Sequence, residues 1–489
     1  MRSSTPTLLA AGVAILMATG SAAQAAPLFV PGNLVVSVEG NGVQGASSGP
    51  YTDNQAAPLA LFQFAHTGTS SATYVNALVL PQTASGANRP VSGEYGSSSE
   101  AQLSRSSDGR YLTVMGYGVN AAAFNANPAA YGTAVNDPAK PTALGQSGSL
   151  TGQSYVAVPR VAALVDANGN VDSSTALFNV FNGNNPRSAA TVDGKTIYVS
   201  GQGIGGDTTG GVWVAQRGAA AATAVTGLDT SGKTAAQDTR IVQVVNGQLF
   251  VSVDSKQGSG ANRDFIGTLG APGGLPAGLA NDGNGPAQLD GFGNSGGTGK
   301  IALTAATSNG VNAAGQTVNL SPEGFFFANA ATLYVADSGS PKNKSAASGL
   351  GAGGLQKWVN AAADGSGAWS LAYTLSDGLG LVANTAAHGT TGLLGLAGKV
   401  VGDEVELYAT NYTVGDMDPT FLYGITDVVQ ALTKPSAQFV QLAAAPVDSN
   451  FKGVAFAPED APADVPEPAS LMLLMSGLLA LTMVLRNDA

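Results

Sequence analysis

The sequence predicts an all-β protein, most simply a β-propeller of six blades, with seven blades as an alternative. Three observations lead to this fold class. One short phrase recurs along the chain, further strand-like segments separate the copies, and helix-length apolar patterns occur only near the two termini. A propeller closes radially and protects the strand edges that repeated antiparallel units would otherwise expose. An elongated β-solenoid or tandem sandwiches are the alternatives that such repetition leaves open.

The recurrent phrase is a short alternating strand with an aromatic residue at one comparable place. Its copies lie at 106–116, 191–201, 244–254, 329–339 and 402–412. The first three contain Asp-Gly or Asn-Gly, dipeptides that supply the positive φ of a two-residue hairpin. Each copy, with the strands that flank it, predicts one four-stranded antiparallel unit. The aromatic residues are Tyr111, Tyr198, Phe250, Tyr334 and Tyr408.

The two ends of the propeller-like domain, residues 26–457, predict how the ring closes. The segment 33–40 and the two strand-like segments that follow it give a first unit of only three strands. We predict the missing strand at 451–457, FKGVAFA, so that the first and last segments share one blade. Counting this shared blade gives six.

The N-terminus predicts a cleaved signal peptide over residues 1–25. Arg2 lies in a short polar region, and an apolar region follows from Leu8 to Thr19. Ala23 and Ala25 then give the small-x-small pattern of a signal-peptidase site. We therefore expect a signal helix that is removed during export, with signal peptidase and the export machinery as partners.

The C-terminus combines a proline-rich motif, an apolar segment and a basic residue. An acidic, Pro-rich linker at 458–464 precedes the motif, which must be extended because proline fixes φ and excludes the preceding residue from the α region. The apolar segment 469–485 is roughly 25 Å long as a helix, within the range that can span a bilayer. Arg486 behind it is expected to stay on the cytoplasmic side. The motif consists of Val465, Pro466, Glu467 and Pro468.

This order of elements resembles the PEP-CTERM sorting domain, a tail of bacterial proteins that exosortase handles. The resemblance rests on Pro466, Glu467 and Pro468, the apolar segment and Arg486, and it covers residues 465–489. It implies that exosortase, a membrane-embedded cysteine transpeptidase, is a partner. It also implies a transient transmembrane helix in the inner membrane, followed by delivery to the cell surface or extracellular matrix. The family usually ends in a basic cluster, whereas this chain has one Arg before Asn487 and Asp488.

The composition excludes several function classes. The chain has no cysteine, so disulfides, thiol nucleophiles and thiolate metal sites are excluded. A formal net charge of −11, with only 21 Lys plus Arg residues, argues against a nucleic-acid partner, which would need a basic surface. The 66 glycines and the charged fraction of 11% are common in surface β-proteins with long polar loops.

One segment has the opening pattern of a calcium loop. Oxygen-bearing side chains occupy alternate positions, but the twelfth position is Leu177 rather than the Glu that such a loop needs. A hairpin turn at Asn168-Gly169 explains the segment more simply, so we expect no cofactor and keep calcium as a weak alternative. The four candidate ligands are Asp166, Asn168, Asn170 and Asp172.

The remaining residues offer little for acid–base chemistry. The chain has two histidines, and His66 is expected to cap a strand end, while His388 precedes a strand-like segment. Several acids follow or flank strands and could converge on a propeller axis, namely Asp207, Asp254, Asp282 and Asp337.

These observations predict no catalytic residue. We expect a non-enzymatic binding or structural role linked to exopolysaccharide or the envelope, with polysaccharide as a candidate ligand. The alternative is a calcium-dependent propeller hydrolase or lactonase that uses carboxylates at the axis, with Asp254 or Asp337 among the ligands.

Overall fold

The structure is a computed structural model, and it is an all-β, propeller-like fold with few helices. It describes residues 27–40, 50–97, 99–204, 207–227, 238–253, 265–283, 285–292, 302–303, 318–319, 321–339, 353–382 and 386–460. The predicted signal peptide, the sorting motif and the apolar segment 469–485 lie outside these residues. Within the described ranges, no helix has the length and apolar character needed to cross a membrane.

The strands are short and follow one another along the whole described chain. In chain order they are β1 (Leu34–Gly40), β2 (Ala56–Thr67), β3 (Ser71–Val79), β4 (Ser92–Glu94), β5 (Leu103–Arg105), β6 (Tyr111–Tyr117), β7 (Arg160–Asp166), β8 (Val171–Leu177), β9 (Pro186–Thr191), β10 (Thr196–Gly201), β11 (Gly211–Gln216), β12 (Thr223–Ala224), β13 (Thr239–Val245), β14 (Gln248–Val253), β15 (Phe265–Leu269), β16 (Ala287–Gln288), β17 (Ala302–Leu303), β18 (Val318–Asn319), β19 (Pro322–Asn329), β20 (Thr332–Asp337), β21 (Gly354–Asn360), β22 (Trp369–Leu375), β23 (Thr390–Val401), β24 (Glu404–Thr413), β25 (Phe421–Val428), β26 (Val440–Ala444) and β27 (Ser449–Phe456).

Two short helices interrupt the strands between β6 and β7. The side chain of Asn120 caps the first of them by accepting a 2.8 Å hydrogen bond from the Ala123 amide. The helices are α1 (Ala121–Ala126) and α2 (Thr133–Asn136), and single 3₁₀ turns occur at Pro128–Tyr131, Leu144–Gln146 and Asn281–Gly283.

Four groups of strands form separate four-stranded antiparallel sheets: β9–β12, β13–β16, β19–β22 and β23–β26. The other main strands form one nine-stranded sheet in the order β27-β1-β2-β4-β6-β7-β8, in which β3 pairs with β2 and β5 pairs with β6. The separate blades in the described part therefore number four, where the sequence predicts six. The physical reason is β4, a three-residue strand that bonds to both β2 and β6 and joins the strands on either side.

The recurrent phrase forms the second strand of successive antiparallel groups, namely β6, β10, β14, β20 and β24. Hairpin turns precede the first three of these strands. Gly109, Gly194 and Gly247 have φ values of +78°, +79° and +74°, and a β-carbon is strained in that conformation. The Asp-Gly and Asn-Gly dipeptides therefore form the turns that join the first strand of each group to the second.

The first strands of the groups surround one axis. β5, β9, β13, β19, β23 and β27 each contact the next, and β27 contacts β5, which completes the circle. Residues from all six of these inner strands line an axial cavity of about 280 Å³. The parts of β5, β9, β13 and β27 that reach this cavity are their C-terminal ends, so these inner strands run in the same direction.

Residues 451–456 of the predicted strand 451–457 lie in β27, which begins two residues earlier, ends at Phe456 and pairs antiparallel with β1. Leu34 lies opposite Phe456 and Gly40 opposite Ser449, with a bulge between Val36 and Val38. The last strand of the described chain therefore completes a four-stranded group with β1, β2 and β3. In this group β27, rather than β1, lies next to the axis.

Candidate functional site

Charged side chains lie near the N-terminal ends of three consecutive inner strands. Arg187 in β9, Arg240 in β13 and Glu323 in β19 each occupy the second position of their strand, and Asp238 immediately precedes β13. Equivalent register in neighbouring inner strands brings these side chains together at the end of the axis opposite the axial cavity. We call Arg187, Asp238, Arg240 and Glu323 the axial charge belt.

The four residues of the belt form a chain of ion pairs. Asp238 pairs with Arg187 and lies 3.3 Å from the Nε of Arg240, whose Nη1 is 3.6 Å from Glu323 Oε1. None of these side chains is more than 8% exposed. Two cations and two anions balance within the belt, and a buried charge is tolerated only when it is paired. The arrangement therefore pairs every charge of the belt and presents no net charge from these four residues.

A second buried cluster lies beside the belt, around the carboxyl groups of Glu94 and Glu100. Glu100 accepts hydrogen bonds from the Tyr117 hydroxyl, the Asn185 amide and the backbone N–H of Glu94, and Glu94 accepts one from the Gly145 amide. Burial, followed by the neighbouring charge of Glu100, raises the pKa of Glu94 well above its ordinary value. Burial also raises the pKa of Glu100.

The raised pKa values favour the protonated form of these carboxyls, but the pair lies in the interior. Glu94 is 6% exposed and Glu100 1%. Arg160 lies 4.7 Å from the centre of the Tyr117 ring, and its guanidinium donates to backbone carbonyls, including Ser147 at 2.8 Å. A substrate would have to displace this packing to reach either carboxyl, so the cluster holds the loop before β5 in place.

The predicted calcium candidates form the turn between β7 and β8. Asp166 Oδ1 accepts hydrogen bonds of 2.9 Å from the amides of both Asn168 and Asn170, and Asn170 Nδ2 donates to Asp166 Oδ2. Asp172 instead faces Arg217, whose Nε lies 2.6 Å from its Oδ2. The structure therefore brings Asp166 and Asn170 together through turn hydrogen bonds and directs Asp172 to the neighbouring sheet.

The two histidines lie far apart in the chain and have different surroundings. His66 Nδ1 lies 2.8 Å from the Tyr408 hydroxyl, and its Nε2 lies 2.9 Å from the Gly32 carbonyl, so it joins β2 to β24 and to the segment before β1. His388 is mostly exposed, with Nδ1 2.7 Å from Asp418 Oδ1. A carboxylate that orients a histidine is one part of an acid–base site.

The predicted acids do not converge on the axis as a group. Asp337 accepts hydrogen bonds from the Gly339 amide and Gln356 Nε2, both at 2.8 Å, and Asp207 accepts one from the Thr209 amide. Asp282 is an exposed residue at positive φ, and Asp254 lies outside the described residues. Among the side chains that the structure describes, no three His, Asp or Glu residues are grouped in a way that could hold a metal ion.

The aromatic residues of the repeat connect each group of strands to the next. The hydroxyl of Tyr198 donates to the Pro276 carbonyl at 3.0 Å, that of Tyr334 to Asp427 at 2.7 Å, and that of Tyr408 to the Gly68 carbonyl at 2.9 Å. The ring of Phe250 packs on Phe327, with centroids 4.8 Å apart. The Tyr111 ring lies 5.8 Å from the guanidinium of Arg217. The repeat therefore encodes contacts between neighbouring sheets.

Both ends of the described domain lie beside the β7–β8 turn. The Phe29 amide donates to the Ala167 carbonyl at 2.9 Å, and Asn168 Nδ2 donates to Asp460 Oδ1 at 3.2 Å. Glu459 forms a 2.9 Å ion pair with Arg105, which lines the axial cavity. We call this side of the ring, which carries the hairpin turns, the tail-side face. The axial charge belt lies at the opposite end of the inner strands.

The belt and the carboxyl cluster are the features that sequence reasoning missed. Their members are distant in the chain, as the 51-residue separation of Arg187 and Asp238 illustrates. One sequence pattern could have indicated the belt: a single charged residue near the start of a strand whose other residues are mostly apolar or small, as at Arg187 and Arg240. The sorting-motif residues Val465, Pro466, Glu467, Pro468 and Arg486, and the signal-cleavage residues Ala23 and Ala25, lie outside the described residues.

Comparison with known proteins identifies the C-terminal segment. Residues 464–487 match the family model of the PEP-CTERM protein-sorting motif, which confirms the predicted resemblance. This motif is the signal that exosortase recognises, and it marks an exported, exosortase-processed protein destined for the cell surface. No curated protein matches the chain.

Several solved structures are similar to the chain at low identity. AztD from Citrobacter koseri is 8% identical with a TM-score of 0.27, covering 88% of this chain and 99% of AztD. The apo form of AztD is 10% identical with a TM-score of 0.26, covering 86% and 98%. A polysaccharide lyase of family PL25, an ulvan lyase, is 10% identical with a TM-score of 0.30, covering 87% and 90%. Similarity at this level carries no argument about function.

Proposed function

We propose that the chain is an exported surface or extracellular-matrix protein with a non-enzymatic binding or structural role, linked to exopolysaccharide or the envelope. The sorting motif at 464–487 is the observation that carries this proposal, because it gives the destination of the domain. The belt supports it, since its four charges are paired with one another and buried. A domain with this interior needs no catalytic residue to act as a scaffold or binder.

We also infer that the nine-stranded sheet contributes two blades, which makes six in all. The group β27-β1-β2-β3 and the group β5-β6-β7-β8 are each four-stranded and antiparallel, and β4 connects them. The circle of six inner strands supports this count, because each of the six groups contributes one of them. Loss of the β4 connection would leave six separate four-stranded sheets.

The position of the tail supports an order of events in export. Asp460 is fixed on the tail-side face, and nine residues lead from it to Ala469, a reach of roughly 30 Å. While the segment 469–485 spans the inner membrane, the tail-side face is therefore turned toward the bilayer. Cleavage by exosortase near Glu467 then releases the ring without removing any strand.

The sorting proposal is tested by following where the protein goes. We expect Glu467→Ala to block processing, so that the full-length form accumulates in the membrane fraction. Deletion of residues 469–489 is expected to release the protein into the medium. The matched control is Glu459→Ala, which removes an acid outside the motif. The control should behave like the parent, and the proposal is wrong if the Glu467 variant and the deletion variant do so as well.

The competing function is a calcium-dependent propeller hydrolase or lactonase. Asp337 is its described candidate ligand, and its carboxylate already accepts two hydrogen bonds of 2.8 Å. Calorimetric titration of the full chain with calcium distinguishes the two functions. We expect no binding heat. Calcium binding that Asp337→Asn abolishes would favour the hydrolase and contradict the non-enzymatic proposal.

A further inference from the structure

A groove of about 420 Å³ lies between the β13–β16 sheet and the β19–β22 sheet. The aromatic part of its wall consists of Phe250, Phe327 and Trp369. The Phe250 and Phe327 rings are half-buried with centroids 4.8 Å apart, and Trp369 meets Phe327 edge-on at 6.0 Å. Phe250 and Phe327 therefore offer aromatic surface to a ligand, and Trp369, only 5% exposed, lies behind them.

This groove differs from the other contacts that the repeat aromatics make. Tyr198, Tyr334 and Tyr408 each use a hydroxyl to bond the next group of strands. Phe250 stands at the corresponding place without a hydroxyl, and open space remains beside its ring. Open space also lies beside Tyr198, in a cavity of about 520 Å³, so what sets the groove at Phe250 apart is its aromatic wall without a hydroxyl.

Polar side chains surround the aromatic wall. Asn246, Gln248, Thr268, Asn329 and Asp364 line the groove at the hairpin turns of the tail-side face and on the adjoining strands. Asn329 uses its Oδ1 to accept from the Ala331 amide at 2.9 Å, and its Nδ2 makes no hydrogen bond within the described residues. Among the residues that the structure describes, Gln248 Nε2 has one contact, a long one of 3.5 Å with the Gly270 carbonyl. The side-chain amides of Asn329 and Gln248 therefore remain available to a ligand.

The chemistry of this lining selects the ligand. A sugar ring has an apolar C–H face, which packs on an aromatic ring, and a rim of hydroxyls, which match amides that both donate and accept. The charged lining residue is Asp364, whose pKa is lowered by hydrogen bonds from Ser366, so it stays ionised and repels anions. The volume is within the range of small-molecule sites, about 300–1,000 Å³. We propose that the groove binds a neutral oligosaccharide.

This proposal deepens the proposed function by naming its ligand class and rests on that function only for the location of the ligand. The test uses the full chain in a detergent without a sugar head group. Cellotetraose, maltotetraose and chitotetraose are titrated by calorimetry and by tryptophan fluorescence, with tetragalacturonate as the anionic comparison. We expect at least one neutral tetrasaccharide to bind with a Kd of about 1 mM or tighter, and to change the emission through Trp369.

Variants locate the binding. We expect Phe250→Ala to weaken it about tenfold or more, and Gln248→Ala, a polar change that spares the core, to weaken it several-fold. The matched control is Phe421→Ala, a partly buried aromatic in the β23–β26 sheet, which should bind like the parent. The proposal is overturned if no neutral tetrasaccharide binds, if tetragalacturonate binds best, or if the Phe250 and Phe421 variants bind equally. Sorting of the tail variants is measured separately, so either proposal can fail alone.

Discussion

Replacing Asp427 with alanine tests whether one buried ion pair holds two neighbouring sheets together. Asp427 in β25 lies 3.2 Å from the Nζ of Lys357 in β21, and both side chains are 0% exposed. The hydroxyls of Tyr334 and Tyr373 donate to the same carboxylate at 2.7 Å. The variant therefore leaves a buried ammonium group with the Val428 carbonyl and the Tyr373 hydroxyl, and two tyrosine hydroxyls lose their carboxylate acceptor.

The expected loss follows from the cost of an unpaired buried charge. Removing one partner of a buried pair destabilises a protein by about 3–5 kcal/mol. Lys357 can limit this loss by giving up its proton, because burial already lowers its pKa from the ordinary 10.5. Neutralising a lysine of pKa 10.5 at pH 7 costs about 5 kcal/mol, at 1.36 kcal/mol per unit, which sets the ceiling. We expect a loss of about 3–5 kcal/mol.

Equilibrium unfolding in urea, followed by tryptophan fluorescence, measures this loss. The control is Asp377→Ala, which removes an exposed partner 3.1 Å from Lys434 and should cost about 0–1 kcal/mol. In the Asp427 variant the folded-state pKa of Lys357 lies below its unfolded value. The deficit should therefore shrink as pH rises toward 10.5. Equal losses in the two variants, or a deficit that grows with pH, would refute the reasoning.

Three further predictions concern the carboxyl cluster, the closing strand and the repeat. Because burial raises the pKa of Glu94 above 4.5, its contribution to stability is fully present below that pH and is lost as pH rises through the raised pKa. Glu94→Gln should flatten the pH dependence of thermal unfolding, whereas parallel curves would contradict this. Truncation after residue 448 removes β27 and should abolish cooperative unfolding, whereas truncation after 460 should preserve it; equal melting temperatures would show that closure contributes no stability. Tyr408→Phe should cost about 0.5–1.5 kcal/mol in urea unfolding, against about 0.5 or less for the half-exposed Tyr74→Phe, and equal effects would exclude a stabilising hydroxyl.

Local rules allowed the repeated hairpins to be predicted from sequence. Asp-Gly and Asn-Gly turns need positive φ, and Gly109, Gly194 and Gly247 have it. The strand at 451–457 was predicted because a three-strand first unit lacked a partner, which is an argument about topology rather than about residues. The joining strand β4, Ser-Gly-Glu, carries neither an alternating pattern nor a β-branched residue, so nothing in the sequence indicated it.

The interior charges could not be predicted because their partners are brought together by the circle of strands. Lys357 and Asp427 are 70 residues apart, and neither neighbourhood shows where the other lies. The groove beside Phe250 escaped prediction for a related reason. Its walls come from two sheets that are distant in the chain. The sequence shows a phenylalanine where the neighbouring copies have tyrosine, but only the structure shows that those tyrosine hydroxyls bond to the next sheet.

The pairing of β1 with β27 also fixes when folding can finish. Leu34 lies opposite Phe456, so β1 can pair with β2 early but lacks its second neighbour until nearly the whole domain is available. In the proposed export route, in which the N-terminus crosses first, the ring therefore cannot close until the last strand has followed. The contact that completes the circle is long-range and therefore slow to form. Its last strand, β27, ends only a few residues before the sorting motif at 464–487.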